Sequence, residues 1–389
     1  MTFDKPTNES PFLRFTAAEF RRRGSQQRRE LTDKTQVHRL LENKSLGGTR
    51  IGLPVRHAVL TSPDEITAEV LGDRIALKFA HGWSAKGVML LERIGEERYF
   101  DHMALREWTL EAIRERQQAV AAKFPRKKSA WIVEELIRGA QPGAVPFDYK
   151  FYMFQGQIGM VAQIDRNSSP PRVVKLDGDL KLLVEGRDYR LKPKDLQPGV
   201  PVVPRSAVML SRWAIELSHM TDSPFVRVDL YDGEAGPSFG EFTFSSGAEY
   251  KRTITYSTKL LDTFDGLFVE AERRLKGEPT ETPQNWSALL QATDPGVLAS
   301  QPMISLPEYE RYAYFQYNQG SLGAFRLAQA HERLAESGAD ADITGYLVDA
   351  HKAAGRRVRA QNNPAPLALR HAARKVYRRL QLGSDGSQK

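Results

Sequence analysis

The sequence predicts an α+β fold built on antiparallel hairpins, with helical segments at both ends. Three observations predict it. Apolar runs of strand length recur between residues 51 and 250. Two pairs of these runs are joined by turn residues, at Gln155-Gly156 and within 232–238. The flanks, up to about residue 44 and beyond Pro279, instead carry helical spacing.

Composition sets the outer limits. The 389 residues exceed what one core usually holds, about 250–300, so two or three structural units are expected. There is no cysteine, which excludes disulfides, thiolate catalysis and zinc–cysteine sites. The start, MTFDKPTNESPF, has no apolar signal region. No run approaches the roughly 20 apolar residues of a membrane helix. The expectation is a cytoplasmic protein with no transmembrane segment. Lys plus Arg number 56 and Asp plus Glu 48, a net 56 − 48 = +8. That excess suits nucleotide phosphates, an acidic substrate, a nucleic acid or an anionic membrane face, and alone decides among none of them.

Four stretches follow along the chain. Residues 1–50 form a basic helical segment. Two short helices are expected between 12 and 41, with Thr32-Asp33 starting the one that carries Val37, Leu40 and Leu41. Its arginines suit a solvated face or an anion site. Residues 51–137 hold strands at 58–60, 74–79, 87–92 and 131–137. An amphipathic helix is expected over 101–124, with Met103, Leu105, Trp108, Leu110, Ile113 and Val120 on its apolar side. Residues 138–278 contain the hairpin FDYKFYMF–QIGMVAQIDR, an irregular stretch at 167–205 and a helix at 206–220. The strand pair FVRVDLY and FGEFTF, at 225–231 and 239–244, follows. Residues 279–389 read as a proline-punctuated linker and three helices, at 309–337, 343–359 and 366–382. The last holds the basic amphipathic RHAARKVYRRLQL, which suits packing on the protein body or contact with an anionic surface.

Chemistry concentrates where strand alternation aligns charges. In FVRVDLY and FGEFTF one face carries the valines, Leu230, Phe242 and Phe244. The other carries Arg227, Asp229, Glu241 and Thr243. Neighbouring carboxylates repel and call for a cation, and hard oxygens on strands suit magnesium. A solvated sheet face has the same pattern. Lys78 faces away from Ile75, Leu77 and Phe79. After it comes His81-Gly82-Trp83-Ser84-Ala85-Lys86-Gly87, a loop able to turn amides toward phosphate or simply to connect two strands. It is neither a P-loop nor a dinucleotide fingerprint. Asp148 and Lys150 share one strand face, Glu134 and Glu135 close the strand at 131–137, and Arg166 ends the hairpin. Each of these also suits a plain surface position.

Five strings, in order, resemble the TupA-like branch of the ATP-grasp superfamily. They are LTDKTQVHRLL at 31–41, IALKFAHGWSAKGVMLL at 75–91, WIVEELI at 131–137, DYKFYMFQGQI at 148–158 and FVRVDLYDGEAGPSFGEFTFSS at 225–246. The resemblance implies an ATP-grasp fold, in which two lobes clamp ATP between antiparallel sheets. It implies that Lys78 contacts nucleotide phosphate and that His81, Gly82, Ser84, Lys86 and Gly87 belong to the phosphate-covering loop. It places Glu134, Glu135, Leu136 and Ile137 beside adenine and ribose. Asp229 and Glu241 become the magnesium ligands, with manganese as an alternative ion. Lys150, Arg166 and Arg227 become the catalytic cations. Two departures stand out. Phe79-Ala80 precedes His81-Gly82 where the family usually has Asn. Thr243 stands where many ATP-grasp enzymes have a metal-binding Asn.

The resemblance further implies an ADP-forming carboxylate–amine ligase working through an acyl phosphate, in biosynthesis of a specialised metabolite or a cell-surface polymer. Its partners would be a small-molecule, peptide or sugar-acid carboxylate and an amine. No nucleic acid is expected, and a homo-oligomer is compatible. The other readings are a kinase-like transfer to a hydroxyl on the same scaffold and a basic scaffold protein without catalysis.

Overall fold

A computed structural model describes residues 3–280, except 4, 23, 47, 82–86, 125–128, 140–144, 181, 193–195, 200, 203, 205 and 246. The chain divides into two compact units, Met1–Tyr314 and Phe315–Lys389. All the described residues belong to the first. The three helices expected beyond residue 308, and nearly all of the linker before them, lie outside the described residues.

The basic N-terminal segment forms three helices where two were expected: α1 (Pro11–Arg22), α2 (Gln26–Thr32) and α3 (Lys34–Leu41). Capping residues set the breaks. The Ser25 hydroxyl accepts from Arg28 N, and the Asp33 carboxylate accepts from Thr35 N and Gln36 N. The segment is tied down at its start. Asp265 receives Ser10 Oγ at 2.5 Å, Phe12 N at 3.2 Å and Lys5 Nζ at 2.6 Å. Phe12 is fully buried against Phe154, Phe225 and Phe264.

The first lobe is a six-stranded antiparallel sheet. Its strands are β1 (Arg56–Leu60), β2 (Arg74–Phe79), β3 (Val88–Gly95), β4 (Arg98–Asp101), β5 (Arg106–Thr109) and β6 (Trp131–Glu135). They lie in the order β1-β6-β2-β3-β4-β5. The short helix α4 (Ala68–Leu71) leads into β2, and α5 (Leu110–Ala121) packs on the sheet. Ile75, Leu77, Phe79, Met89, Leu91, Ile113, Trp131 and Val133 share one core.

The helix expected over 101–124 is shorter, because a hairpin precedes it. Asp101 Oδ1 accepts from Leu90 N and Met103 N, turning the chain at 3.1 and 2.9 Å. Trp108 then pairs across the strands with Tyr99, under the Arg106 guanidinium 3.5 Å from its ring centroid. The helix begins only where Thr109 Oγ1 caps Ala112 N. Met103, Leu105 and Trp108 thus produced a helical stripe without being on a helix. The strand expected over 131–137 likewise stops at Glu135.

The second lobe is a seven-stranded sheet. It contains β7 (Asp148–Phe154), β8 (Gln157–Asp165), β9 (Arg172–Leu176), β10 (Leu182–Leu183), β12 (Gln197–Pro198), β13 (Val226–Gly233) and β14 (Gly236–Thr243). The path is β10-β9-β8-β7-β13-β14, with β12 parallel to β9. Outside the sheet, β11 (Tyr189–Leu191) pairs with β15 (Ile254–Tyr256). Gln155 and Gly156 turn β7 into β8 with φ of 48° and 88°, the left-handed pair a two-residue hairpin needs. Helix α6 (Ala207–His219) contacts β7 and β13. Tyr152, Phe154, Met160, Ala162 and Val173 share a core with Phe12 of α1 and with Phe264 and Phe268 of α8 (Thr258–Leu275). Helix α7 (Gly247–Tyr250) lies between β14 and β15. The segment after β6 is tied to the β13–β14 tip, where Glu234 N donates to Arg138 O at 2.8 Å and Gly139 bridges Gly233.

Gly87 opens β3 at φ 77°, and a Cβ there would stand 2.6 Å from Phe79 Cβ and 3.0 Å from Val120 Cγ1. Gly87→Ala should therefore cost roughly 2–4 kcal/mol, combining left-handed strain with overpacking. Urea denaturation measures this, and a loss below about 1 kcal/mol would contradict the close packing described.

Candidate active site

Cross-strand register assembles the charges. Lys150 of β7 pairs with Asp229 of β13, which pairs with Glu241 of β14. In the adjoining row Tyr152 pairs with Arg227, and Arg227 with Thr243. Arg227 grips Asp229 with two bonds, Nε to Oδ1 at 2.7 Å and Nη2 to Oδ2 at 2.8 Å, and reaches Thr243 Oγ1 at 3.1 Å. Lys150 Nζ donates to Asp229 Oδ2 and stands 2.6 Å from Asp148 Oδ2. Arg166 lies 3.7 Å from that same Asp148 oxygen. The other oxygen, Asp148 Oδ1, is buried without a hydrogen-bond partner among the described residues.

The first lobe faces this row. Lys78 Nζ donates to Glu134 Oε1 on the neighbouring strand β6. Lys34, the first residue of α3, places Nζ 3.5 Å from Glu241 Oε2, while Arg227 Nη2 lies 3.8 Å from Oε1. Lys34 was not among the site residues read from the sequence. Its signal was present in the Asp33-Lys34 pair of LTDKTQVHRLL, where the cap residue fixes where the lysine begins its helix.

The charges shape one another. Burial works to raise the Glu241 carboxyl, but Lys34, Lys150, Arg227 and Lys78 together hold it down to about 2. Burial pushes Lys78 down to about 8, with Lys34 and Arg56 adding to it against Glu241 and Asp148. Burial raises Asp229, opposed by Arg227 and Lys150 and reinforced by Asp148 and Glu241. The repulsion that the sequence predicts between two carboxylates is thus answered largely by the protein's own cations.

Other sequence-derived residues fall as follows. Glu135 points away from the row, since its neighbour Glu134 takes the inner face; its Oε2 receives Val55 N at 3.4 Å. Leu136 joins Ala76, Leu90 and Val145 in a small apolar cluster on the Lys78 face of the sheet. Ile137 lies against Gly233, where an added Cβ would be 3.2 Å from Ile137 Cγ2. His81 stands edge-on to Phe79 at 5.8 Å. Gly82, Ser84 and Lys86 lie outside the described residues. Gly87 is fixed by backbone conformation and packing, as described above.

A divalent ion implied by the resemblance fits this donor set. Among the described residues no group of three or more His, Cys, Asp or Glu side chains could hold a metal. Asp229 and Glu241, opposed in register, are the carboxylates that would hold a magnesium, which normally takes one or two beside substrate phosphates. Asp148 Oδ1 is a buried acceptor still lacking a donor or cation.

A family model described as "TupA-like ATPgrasp" matches residues 16–264. The chain belongs to the TupA-like ATP-grasp family. The fold is accordingly the ATP-grasp fold, with the mixed helices and antiparallel sheets described. No curated protein matches this ATP-grasp chain. Among solved structures, D-alanine–D-alanine ligase from Bacillus anthracis is similar at 15% identity and TM-score 0.36, over 65% of this chain and 71% of that one. A RimK domain ATP-grasp protein from Sphaerobacter thermophilus DSM 20745 is similar at 12% identity and TM-score 0.34, covering 62% and 69%. The ATP-grasp ligase PsnB, complexed with a minimal precursor, is similar at 11% identity and TM-score 0.32, covering 62% and 60%. Among the described residues no helix is long and apolar enough to cross a membrane.

Lys78 yields a pH prediction. Its folded value of about 8 lies below the ordinary 10.5. Below pH 8 both states carry the charge, and the full cost of burying it is present. Between 8 and 10.5 the folded protein releases the proton while the unfolded chain keeps it, so stability rises with pH. Nucleotide-free wild type should gain stability on Lys78→Met across that window, by less than the whole shift implies because Glu134 pairs the folded ammonium. Denaturant titrations of both proteins at several pH values check this; parallel curves would refute it.

Proposed function

We propose that the protein is an ATP-dependent carboxylate–amine ligase that forms an amide bond and releases ADP. The observation that carries this reading is the register row Lys150–Asp229–Glu241, with Arg227 beside it and Lys78 and Lys34 opposite. Five cations (Lys34, Lys78, Lys150, Arg166, Arg227) meet four carboxylates (Glu134, Asp148, Asp229, Glu241), which leaves 5 − 4 = +1 before any ligand enters. Such a site favours an anion whose charge shifts during reaction.

In this reading Ala76, Leu90, Leu136 and Val145 receive the nucleotide base. Lys78 exchanges Glu134 for phosphate oxygens. Asp229 and Glu241 would hold the magnesium, which would supply screening of phosphate charge. Lys150 and Arg227, already aimed at Asp229, stabilise the charge that develops on the transferring group. The substrate carboxylate oxygen attacks the γ-phosphorus and ADP leaves. The amine nitrogen then attacks the acyl carbon, the carbon–oxygen bond to phosphate breaks, and inorganic phosphate departs with the electron pair. No protein nucleophile is required, so a chain without cysteine suffices. Positioning and charge neutralisation do the work.

Lys150→Ala should lower kcat on the order of 10²–10³-fold. Asp229→Asn should abolish ADP formation and also destabilise the fold by roughly 1–3 kcal/mol, because Arg227 and Lys150 lose a buried anion. Glu241→Gln should abolish ADP formation and destabilise the fold by less than Asp229→Asn, since the cations that hold its carboxylate down act through solvent at a side chain 40% exposed. The deciding experiment incubates the full chain with ATP, Mg²⁺ and a panel of carboxylic acids paired with amines. ADP release is followed, and products are read by mass. A product equal to acid plus amine minus water supports the reading. A stable phosphoester, or normal turnover by either carboxylate variant, overturns it.

A further inference from the structure

Next to the row of reactive charges lies a second polar cluster that the scheme above does not use. Lys175 of β9 is 1% exposed. Among the described residues it makes no hydrogen bond or ion pair, and its ammonium lies 5.1 Å over the face of Tyr152. Glu249 of α7 is 7% exposed. Its Oε1 accepts from the hydroxyls of Tyr152, at 3.0 Å, and Tyr256. Its Oε2 is buried with no hydrogen-bond partner among the described residues.

Sheet register ties this cluster to the reaction centre. Lys175 pairs with Ala162, and Ala162 with Lys150, so the lysines stand two strand spacings apart, about 10 Å, with one methyl side chain between them. Tyr152, which holds Glu249, is the register partner of Arg227. Burial pushes Lys175 down to about 8. Glu249 works against that, and Arg227 and Lys150 add to it.

An unpaired ammonium and a half-satisfied carboxylate, both buried, are costly and contribute no stability as they stand. Each lacks what the other has in excess, yet they do not form an ion pair. A ligand bearing both an anion and a cation would satisfy both at once.

We infer that Lys175 and Glu249 form a buried two-point subsite for a free amino acid, with its carboxylate on Lys175 and its ammonium on Glu249 Oε2. The inference rests on the ligase reading and narrows it. The amino acid is the amine co-substrate, held on the same sheet face as Lys150 and Arg227; its ammonium passes a proton to Glu249 Oε2 and the neutral amine then attacks the acyl carbon. Tyr152 and Tyr256 are positioning residues that fix Glu249 through Oε1 and leave Oε2 to the ligand. A site built this way rejects an analogue lacking either charged group, because that analogue leaves a buried partner unsatisfied.

The test uses the full chain with Mg²⁺ and a non-hydrolysable ATP analogue. The probes are free L- and D-α-amino acids, each with its α-amide and its N-acetyl derivative. Binding of every probe is read by thermal shift; for the free amino acids and α-amides, which keep a nucleophilic amine, KM for ADP release with ATP and an acid panel is read as well. At least one amino acid should stabilise wild type, with amide and N-acetyl forms weaker by about 100-fold or more. Lys175→Met should erase the preference for acid over amide. Glu249→Gln, which retains an acceptor for the two tyrosines, should erase the preference for free amine over N-acetyl. Lys175→Met removes an unpaired buried charge at similar length, so it should fold; Glu249→Gln tests the second point independently. The inference is overturned if the ATP analogue stabilises the protein while no amino acid does, or if both preferences survive in the variants. Absence of any response to the ATP analogue would instead overturn the ligase reading, and the subsite with it.

Discussion

The arrangement depends on one buried ion cluster, the Asp229 carboxylate held by Arg227 and Lys150. Asp229 is 1% exposed, so its charge is tolerated only because a guanidinium grips both oxygens and an ammonium closes on one of them. Removing any member strands the others in low dielectric. Arg227 and Asp229 share a strand face two residues apart, and Lys150 enters by register from β7. Strand alternation and cross-strand pairing therefore build the cluster, and the apolar core behind the sheet keeps that register from slipping.

Much of the second lobe is legible in the sequence because its hairpins alternate apolar and polar residues on either side of one register shift each. FVRVDLY and FGEFTF carry opposite character on opposite faces; the turn expected over 232–238 is in the structure only two residues long, with Gly233 paired to Gly236. The placement of Arg227, Asp229, Glu241 and Thr243 on one face follows from parity alone. What parity does not reveal is charge compensation. Two adjacent carboxylates suggest a missing metal, yet the lysine and arginine that already neutralise Asp229 are equally visible in the string once the strands are paired.

The errors have a physical pattern. Met103 and Leu105 lie in the turn after Asp101 and Trp108 on the strand that follows, so their spacing reads as a helical stripe although none is on a helix. A side-chain cap on Ala112 N, not hydrophobicity, decides where the helix starts. Glu134 and Glu135 look equivalent in sequence and are separated by the strand's alternation. Lys34 eludes a local reading because it reaches Glu241 across more than 200 residues of chain; its role depends on tertiary packing. Lys175 looks like any strand lysine until folding buries it over the ring of Tyr152.

Chain ends usually fray, and their loss rarely touches a distant reaction centre. Here Asp265 holds residues 5, 10 and 12 against α8, and Phe12 plugs the aromatic core beneath them. From that anchorage α1 and α2 lead to Lys34 at the start of α3. Peeling the terminus away would withdraw a positive charge from Glu241, which lies far from the break. The acidity of one carboxylate in the charged row is thereby a gauge of whether the first forty residues are in place.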